Sequence, residues 1–207
     1  KLRSLDSHIY LMNYFEKKFR KLRKNIDKNK SLNHMENLDF GHDFIYNQKL
    51  KKFILQKKIY LSIASYLGFR PILHRVYFMY SFKKNYLNKD SSQYFHSDYE
   101  DLRGIKLFVN LTKISKSNGP FTFINKKISE KIYKNTNYSK NYKKQKRLSD
   151  EIIEKYTKKK NWKNNSGNKG DCLMIDTNSC LHFGSRLKKG ERVMVCFFFL
   201  SPFSYIF

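Results

Sequence analysis

Residues 105–124 read IKLFVNLTKISKSNGPFTFI and place two runs of β-branched and aromatic residues on either side of a Gly119-Pro120 turn. Such runs, bounded by turn residues, are typical of β-strands. The Phe197–Phe199 run predicts a last strand that is buried on both faces. Similar runs are PILHRVYFMYSF (71–82), DCLMID (171–176) and RVMVCFFFL (192–200).

The chain before these strands has helical patterning. Residues 8–24 place apolar side chains at three- and four-residue steps, which predicts an amphipathic helix. A second helix is predicted from Gln48 to Tyr66 and ends at Gly68. The segment between them, up to about residue 46, is polar and turn-rich. Helices followed by strands predict a β-sandwich or barrel with an N-terminal helical flank.

Residues 125–165 are rich in Lys and Asn and contain 14 Lys and Arg against four acidic residues. One short helical signal occurs there, where Ser149 is placed as the N-cap of DEIIEKY. The segment predicts an insertion or flap over one end of the sheet. Its Trp162, the only Trp of the chain, either covers a pocket or anchors the segment.

The 207 residues suit one domain, and 43 Lys and Arg against 17 Asp and Glu give a net charge of +26. That charge attracts polyanions at low salt. However, only nine of the basic residues are Arg, the residue that phosphate and base recognition tends to recruit. A compositional drift toward Lys at surface positions is therefore favoured over a nucleic-acid partner. No apolar run approaches the roughly 18 residues that a membrane span needs.

The three cysteines, Cys172, Cys180 and Cys196, are odd in number and lack CxxC spacing. They are not typical of a secreted disulfide framework. The N-terminal stretch KLRSLDSHIYLMNYF also lacks the apolar region and cleavage site of a signal peptide. We therefore expect reduced thiols in a cytoplasmic protein.

Two segments contain metal-ligating residue types. In QYFHSD (93–98), His96 and Asp98 are two residues apart, so on an extended chain both face the same side. In DTNSCLH (176–182), a predicted strand runs into a turn that ends at His182. Two imidazoles and one carboxylate form the facial triad that suits Fe(II) with open coordination positions. Ten residues later, Arg192 offers a guanidinium for the distal carboxylate of a bidentate keto acid.

Other candidate ligands are given structural roles. Cys180 is assigned to packing, because a thiolate would fill a coordination position that O₂ chemistry needs open. Gln93 and Tyr94 precede the His-x-Asp motif and either line the pocket or pack in a strand. The remaining histidines have no carboxylate partner in register and are expected to be structural or exposed: His8, His34, His42 and His74.

The sequence also resembles a known family. FHSDYEDLRGIKLFVNLTKISKSNGPFTFI (95–124) is similar to the first half of phytanoyl-CoA dioxygenase-like proteins, and GDCLMIDTNSCLHFGSRLKKGERVMVCFFFLSP (170–202) resembles their distal motif. The resemblance covers residues 90–203 well and 45–90 loosely. It implies a double-stranded β-helix, a cupin-type jelly roll, in one oxygenase domain over residues 1–207, with residues 69–207 as its core and residues 1–68 as the helical flank.

Carried over to matching positions, the resemblance implies that His96, Asp98 and His182 bind Fe(II). It also implies that Arg192 pairs with the C5 carboxylate of 2-oxoglutarate, that Lys106 assists it, and that O₂ is consumed. Because Asp98 is present where halogenases of this kind have a small residue, hydroxylation is favoured over halogenation.

The substrate is left open. Relatives tend to close the Gly-Pro strand with Gly-Ser-His, whereas residues 124–127 read INKK here, and this loop usually frames the site entrance. A small-molecule substrate is expected, and the positive charge favours an anionic one. Two alternatives remain: a basic binding module that holds an anionic polymer through residues 125–165, and an oxygenase fold that no longer binds metal.

Overall fold

A computed structural model describes residues 8–27, 34–40, 46–83, 91–138 and 147–204. Within them the chain is mostly antiparallel sheet with flanking helices, as the sequence predicted. The helices are α1 (His8–Arg23), α2 (Gln48–Ile54), α3 (Lys57–Leu67), α4 (Lys126–Thr136) and α5 (Asp150–Glu154). The strands are β1 (Met35–Asp39), β2 (Ile72–Phe82), β3 (Ile105–Asn110), β4 (Thr122–Phe123), β5 (Lys163–Asn164), β6 (Cys172–Asp176), β7 (His182–Phe183) and β8 (Glu191–Leu200).

The described strands form two sheets. The larger has the order β1-β2-β8-β3-β6, and the smaller has the order β5-β4-β7. Within each sheet, every pair of neighbouring strands is antiparallel. Strand β8 lies at the centre of the larger sheet, paired with β2 on one side and β3 on the other. This central position explains why its sequence is apolar at almost every residue.

Strand β8 is buried on both faces, as its Phe run predicted. Phe197 points to the helical side, where its ring lies 6.0 Å from that of Phe15 in α1 and 5.7 Å from that of Phe53 in α2. Phe198 points the other way, into a core that also contains Phe108 and Phe121. The helical flank therefore covers one face of the larger sheet and leaves the other face for the site.

Replacing Phe197 with alanine is expected to lower the free energy of unfolding by about 3–5 kcal/mol, because the fully buried ring would leave a cavity between sheet and helices. Denaturant unfolding followed by circular dichroism measures the change. The control is Leu61→Ala on α3, where a side chain 54% exposed should change stability by less than about 0.5 kcal/mol. Equal losses in the two variants would contradict this packing.

Two features differ from the sequence prediction, whereas the helix end at Gly68 agrees with it. The helix expected from Gln48 to Tyr66 is two helices, because Gln56 has extended backbone (ψ 135°) and interrupts them. Gly68 ends the second one with φ 79°, a left-handed conformation that favours glycine. Strand β1 lies in the segment that was predicted to be polar and turn-rich. Its polar sequence is explained by its position at the edge of the sheet, where its side chains are only partly covered.

The Lys/Asn-rich segment contains more helix than its composition indicated. Helix α4 begins after Asn125, whose side-chain oxygen accepts a hydrogen bond from the Ile128 amide at 2.9 Å. The short helix behind Ser149 forms where it was predicted, although the Ser149 side chain makes no capping hydrogen bond.

The remaining sequence-level expectations concern cysteines and membrane spans. Cys172, Cys180 and Cys196 are free thiols, and the last two are buried. Among the helices that the structure describes, none combines the length and apolarity needed to cross a membrane.

Candidate metal centre

The two histidines of the predicted triad lie directly opposite each other on neighbouring strands. The His96 amide donates to the His182 carbonyl at 2.9 Å, and the His182 amide donates to the His96 carbonyl at 2.8 Å. Residues opposed in this way project their side chains to the same face. The two imidazole rings accordingly lie 4.4 Å apart, centroid to centroid.

Each imidazole is oriented by a backbone carbonyl two residues earlier. His96 Nδ1 lies 2.8 Å from the Tyr94 oxygen, and His182 Nδ1 lies 2.9 Å from the Cys180 oxygen. Because a carbonyl only accepts, Nδ1 carries the proton in both rings and Nε2 has a free lone pair. This is the tautomer in which a neutral histidine binds a metal.

Asp98 completes the group. Its amide donates to the Thr177 carbonyl at 3.0 Å, which fixes the turn after His96. Its Oδ1 lies 3.7 Å from His182 Nε2, and the potential ligand atoms of the three residues all lie within 4.8 Å of one another. Among the described residues, His96, Asp98 and His182 are the one set of three or more His, Cys, Asp or Glu side chains placed to hold a metal ion.

Lys106 forms an ion pair with this carboxylate. Its Nζ donates to Asp98 Oδ2 at 2.6 Å, and both side chains are nearly covered. Burial by itself raises the pKa of Asp98, but Lys106 and the two imidazoles outweigh it and lower that pKa. Burial tends to lower the pKa of Lys106, yet Asp98 raises it well above its ordinary value. At neutral pH the pair is therefore ionised.

The histidines are neutral at the same pH. Burial, reinforced by the neighbouring His182, lowers the pKa of His96 well below its ordinary value. Burial also lowers the pKa of His182, although Asp98 opposes that shift. Two neutral imidazoles and one carboxylate are the donor set that the sequence predicted.

Arg192 is fully buried at the start of β8. Its guanidinium donates to the Gly119 carbonyl, to Ser81 Oγ at 3.0 Å and to Ser185 Oγ at 2.8 Å, whereas its buried Nε has no hydrogen-bond partner. No carboxylate in the described part of the chain pairs with it. Burial without a counter-charge lowers its pKa to about 9. Ser185 has a φ of 62°, so this cluster also includes an unusual backbone conformation for a non-glycine residue.

Lys106 lies away from Arg192. It pairs in register with Phe198, six residues along β8 from Arg192, which is about 20 Å along the strand. Its ammonium is bound to Asp98 instead. The assistance of Lys106 to Arg192 stays a prediction, and the contact that the structure shows for its ammonium is with Asp98.

A cleft of about 590 Å³, part of it open to solvent, surrounds the triad. The ring of Phe121 stacks on His182 at 5.0 Å. The lining residues are Met35, Asn37, Tyr77, Met79, Ser92, His96, Asp98, Lys106, Phe108, Phe121, Thr177, His182 and Gly184.

The three further pocket candidates lie outside this lining. Gln93 Nε2 donates to the Ser185 carbonyl at 2.8 Å, and the Tyr94 carbonyl orients His96. Both residues therefore hold site residues in position and do not line the cleft. Trp162 packs edge-on against Phe95 at 4.9 Å in the core on the other face of the small sheet. Its position corresponds to the anchoring role.

The other histidines lie away from the triad or outside the described residues. His34 Nε2 lies 2.9 Å from Ser92 Oγ, and His74 is exposed on β2. His42 and the side chain of His8 lie outside the described residues.

Several lining residues had no signal in the sequence. Met35 and Asn37 come from the edge strand β1, and Phe121 stands out only as a strand residue until the fold brings it against His182. Ser81 and Ser185 are 104 residues apart: the pairing of β2 with β8 places Ser81 opposite Arg192, and Ser185 reaches them from the connection between β7 and β8.

Comparisons with known proteins support the fold. No family model matches the sequence, and no curated protein matches it. HygX from Streptomyces hygroscopicus, solved with nickel and 2-oxoglutarate bound, matches with a TM-score of 0.56 and 13% identity over 93% of this chain and 78% of HygX. SnoN, an epimerase from nogalamycin biosynthesis solved with Fe3+, alpha ketoglutarate and nogalamycin RO, matches with a TM-score of 0.58 and 10% identity over 93% and 75% of the two chains.

EctD from S. alaskensis, solved with bound Fe, matches with a TM-score of 0.58 and 11% identity over 97% of this chain and 70% of EctD. At such identities the likeness establishes the fold, which this chain shares with enzymes solved with iron or nickel and 2-oxoglutarate. The phytanoyl-CoA dioxygenase-like family stays a prediction.

Proposed function

We propose that the chain is an Fe(II)- and 2-oxoglutarate-dependent oxygenase with a double-stranded β-helix of the phytanoyl-CoA dioxygenase-like kind. It hydroxylates a C–H bond of a small, anionic molecule and releases succinate and CO₂. One observation carries the proposal: the three side chains that could hold a metal line a cleft, and Gly184 in the wall of that cleft lies beside a buried arginine that has no counter-charge among the described residues.

The triad of His96, Asp98 and His182 fits Fe(II). Nε2 of His96, Nε2 of His182 and one oxygen of Asp98 would hold the ion. Both imidazoles are kept in the ligating tautomer by their carbonyl partners, so little reorganisation is needed on binding. Three protein ligands leave open positions for a bidentate keto acid and O₂.

The surroundings of Arg192 fit the C5 carboxylate of 2-oxoglutarate. A buried guanidinium without a counter-ion costs free energy unless an anion binds it. Gly184 lines the cleft, and a Cβ built there would lie 3.5 Å from Arg192 Nη2, so the buried guanidinium lies directly behind this part of the cleft wall. The hydroxyls of Ser81 and Ser185 offer further donors.

Bound iron with 2-oxoglutarate supplies the oxidising chemistry, in which O₂ converts the keto acid to succinate and CO₂ and hydroxylates the substrate. The chain itself positions and shields the reactants. Lys106 fixes the Asp98 carboxylate, and Phe121 holds the His182 ring by stacking. The apolar side chains of Phe108 and Met79 line the cleft and reduce its water content.

Two features of the triad favour hydroxylation by a metal enzyme over the alternatives. Asp98 occupies the position that a halogenase leaves open for chloride, and Lys106 holds its carboxylate in place. The close approach of all three ligand side chains argues against a degenerate, metal-free fold.

The test is anaerobic addition of Fe(II) and 2-oxoglutarate, followed by visible spectroscopy. We expect a weak metal-to-ligand charge-transfer band in the parent protein and none in His96→Ala, because that variant loses one of the three ligands. His74→Ala is the control, since His74 is exposed and outside the cleft. Fe(II) binding without a band on addition of 2-oxoglutarate, or a band that survives His96→Ala, would overturn the proposal.

A further inference from the structure

Arg147 lies next to the metal centre through strand pairing. The Phe95 amide donates to the Leu148 carbonyl at 3.0 Å, and the Leu148 amide donates to the Phe95 carbonyl at 2.9 Å. The antiparallel register places the preceding residue, Arg147, opposite His96. The α-carbons of such a non-hydrogen-bonded pair are about 4.5 Å apart.

The side chain of Arg147 projects to the metal face. Directly opposed residues share a face, and successive residues alternate between faces. Leu148 and Phe95 are both buried in the core behind the small sheet, so Arg147 and His96 occupy the opposite face, where His182 also lies. Arg147 is exposed there, and its charge is among the causes that lower the pKa of both imidazoles.

The sequence that leads up to Arg147 is rich in basic residues. Residues 140–147 read KNYKKQKR, with five basic residues and no acidic one. Other cations around the centre already have partners: Lys106 binds Asp98, and Arg186 forms two hydrogen bonds to Asp150, at 2.8 and 3.0 Å. Arg147 makes no ion pair with a described acidic residue.

We propose that Arg147 binds an oxyanion group of the substrate, a carboxylate or a phosphate, and so places a nearby C–H bond at the metal. The inference rests on the proposed function and names the substrate class of that site. A guanidinium binds either oxyanion through two parallel hydrogen bonds, which fixes orientation as well as distance. Arg192 serves the co-substrate and Arg147 the substrate.

The experiment uses the full chain with 2-oxoglutarate and substoichiometric Mn(II) in place of iron, and two probes: inorganic phosphate and 13C-labelled acetate. Paramagnetic broadening of the 31P or 13C signal measures each dissociation constant near the metal. The variants are Arg147→Ala, Arg147→Lys and the control Arg20→Ala, which removes an exposed charge on α1.

We expect Arg147→Ala to raise the dissociation constant of one of the two probes by about tenfold or more, because a charge-assisted hydrogen-bonded pair is lost. The dissociation constant of that probe should be intermediate in Arg147→Lys and equal to that of the parent in Arg20→Ala. The affinity for 2-oxoglutarate should stay unchanged in all three variants. The probe that responds distinguishes a phosphorylated from a carboxylated substrate.

Three outcomes would overturn the inference. Unchanged broadening in Arg147→Ala would show that the residue binds no anion at the metal. An equal, steeply salt-dependent loss in Arg147→Ala and Arg20→Ala would indicate diffuse attraction, as for an anionic polymer. Failure of the parent to bind Mn(II) and 2-oxoglutarate would overturn the proposed function itself, and this inference with it.

Discussion

Replacing Asp98 with alanine is expected to abolish metal binding and also to lower the free energy of unfolding by about 3 kcal/mol. The metal loses its one anionic ligand, and Lys106 is left without its counter-ion while only 12% of its side chain is exposed. A buried charge deprived of its partner is strongly destabilising. Mn(II) titration followed by electron paramagnetic resonance measures the first effect, and denaturant unfolding measures the second.

A second variant separates the two effects. Adding Lys106→Met to Asp98→Ala removes the stranded ammonium, whose Nζ lies 4.7 Å from the centroid of the Phe198 ring, and keeps most of the apolar stem. We expect the double variant to recover most of the lost stability and none of the metal binding. If Lys106→Met instead adds to the instability, the ion pair at 2.6 Å does not account for the effect of Asp98→Ala.

The sequence predicted that His96, Asp98 and His182 come together because their arrangement depends on local geometry, and their binding of a metal stays a prediction. His96 and Asp98 share a face through the two-residue period of an extended chain, and His182 follows a strand that was itself visible as an apolar run. Four of the five strands of the larger sheet were predicted from their composition, since β2, β3, β6 and β8 are rich in β-branched and aromatic residues.

The missed elements have sequences whose pattern is weak. Strand β1 is a partly exposed edge strand, so MENLD carries no clear alternation. In helix α4 only Ser129 and Ile132 are buried, and its content of Lys and Asn is typical of a loop. In both elements the remaining stability comes from tertiary contacts, which composition does not reveal.

The residues that support the site depend on long-range pairing. Arg192 was predicted from its spacing after His182, but its contact with Ser81 follows from the β2–β8 register. The position of Arg147 opposite His96 likewise follows from a bridge between residues 95 and 148. No local periodicity relates positions so far apart in the chain.

Replacing Arg192 with methionine is expected to weaken 2-oxoglutarate binding by about 100-fold or more while leaving Mn(II) binding unchanged, because two charge-assisted hydrogen bonds to the carboxylate are lost. The folding stability of the ligand-free protein should change by only about 1 kcal/mol, since two effects oppose each other. Methionine removes a buried charge that has no counter-ion among the described residues, and it leaves the Gly119 carbonyl without its donor.

Thermal unfolding with and without 2-oxoglutarate tests this balance. In the parent loaded with Mn(II), the keto acid should raise Tm, because a ligand that binds only the folded state stabilises it. In Arg192→Met that rise should disappear, and in Arg20→Met, an exposed control on α1, it should persist. A large loss of stability in ligand-free Arg192→Met would give the arginine a structural role, because a residue retained for an absent anion should be dispensable for folding. A Tm rise that survives in Arg192→Met would place the C5 carboxylate elsewhere in the cleft.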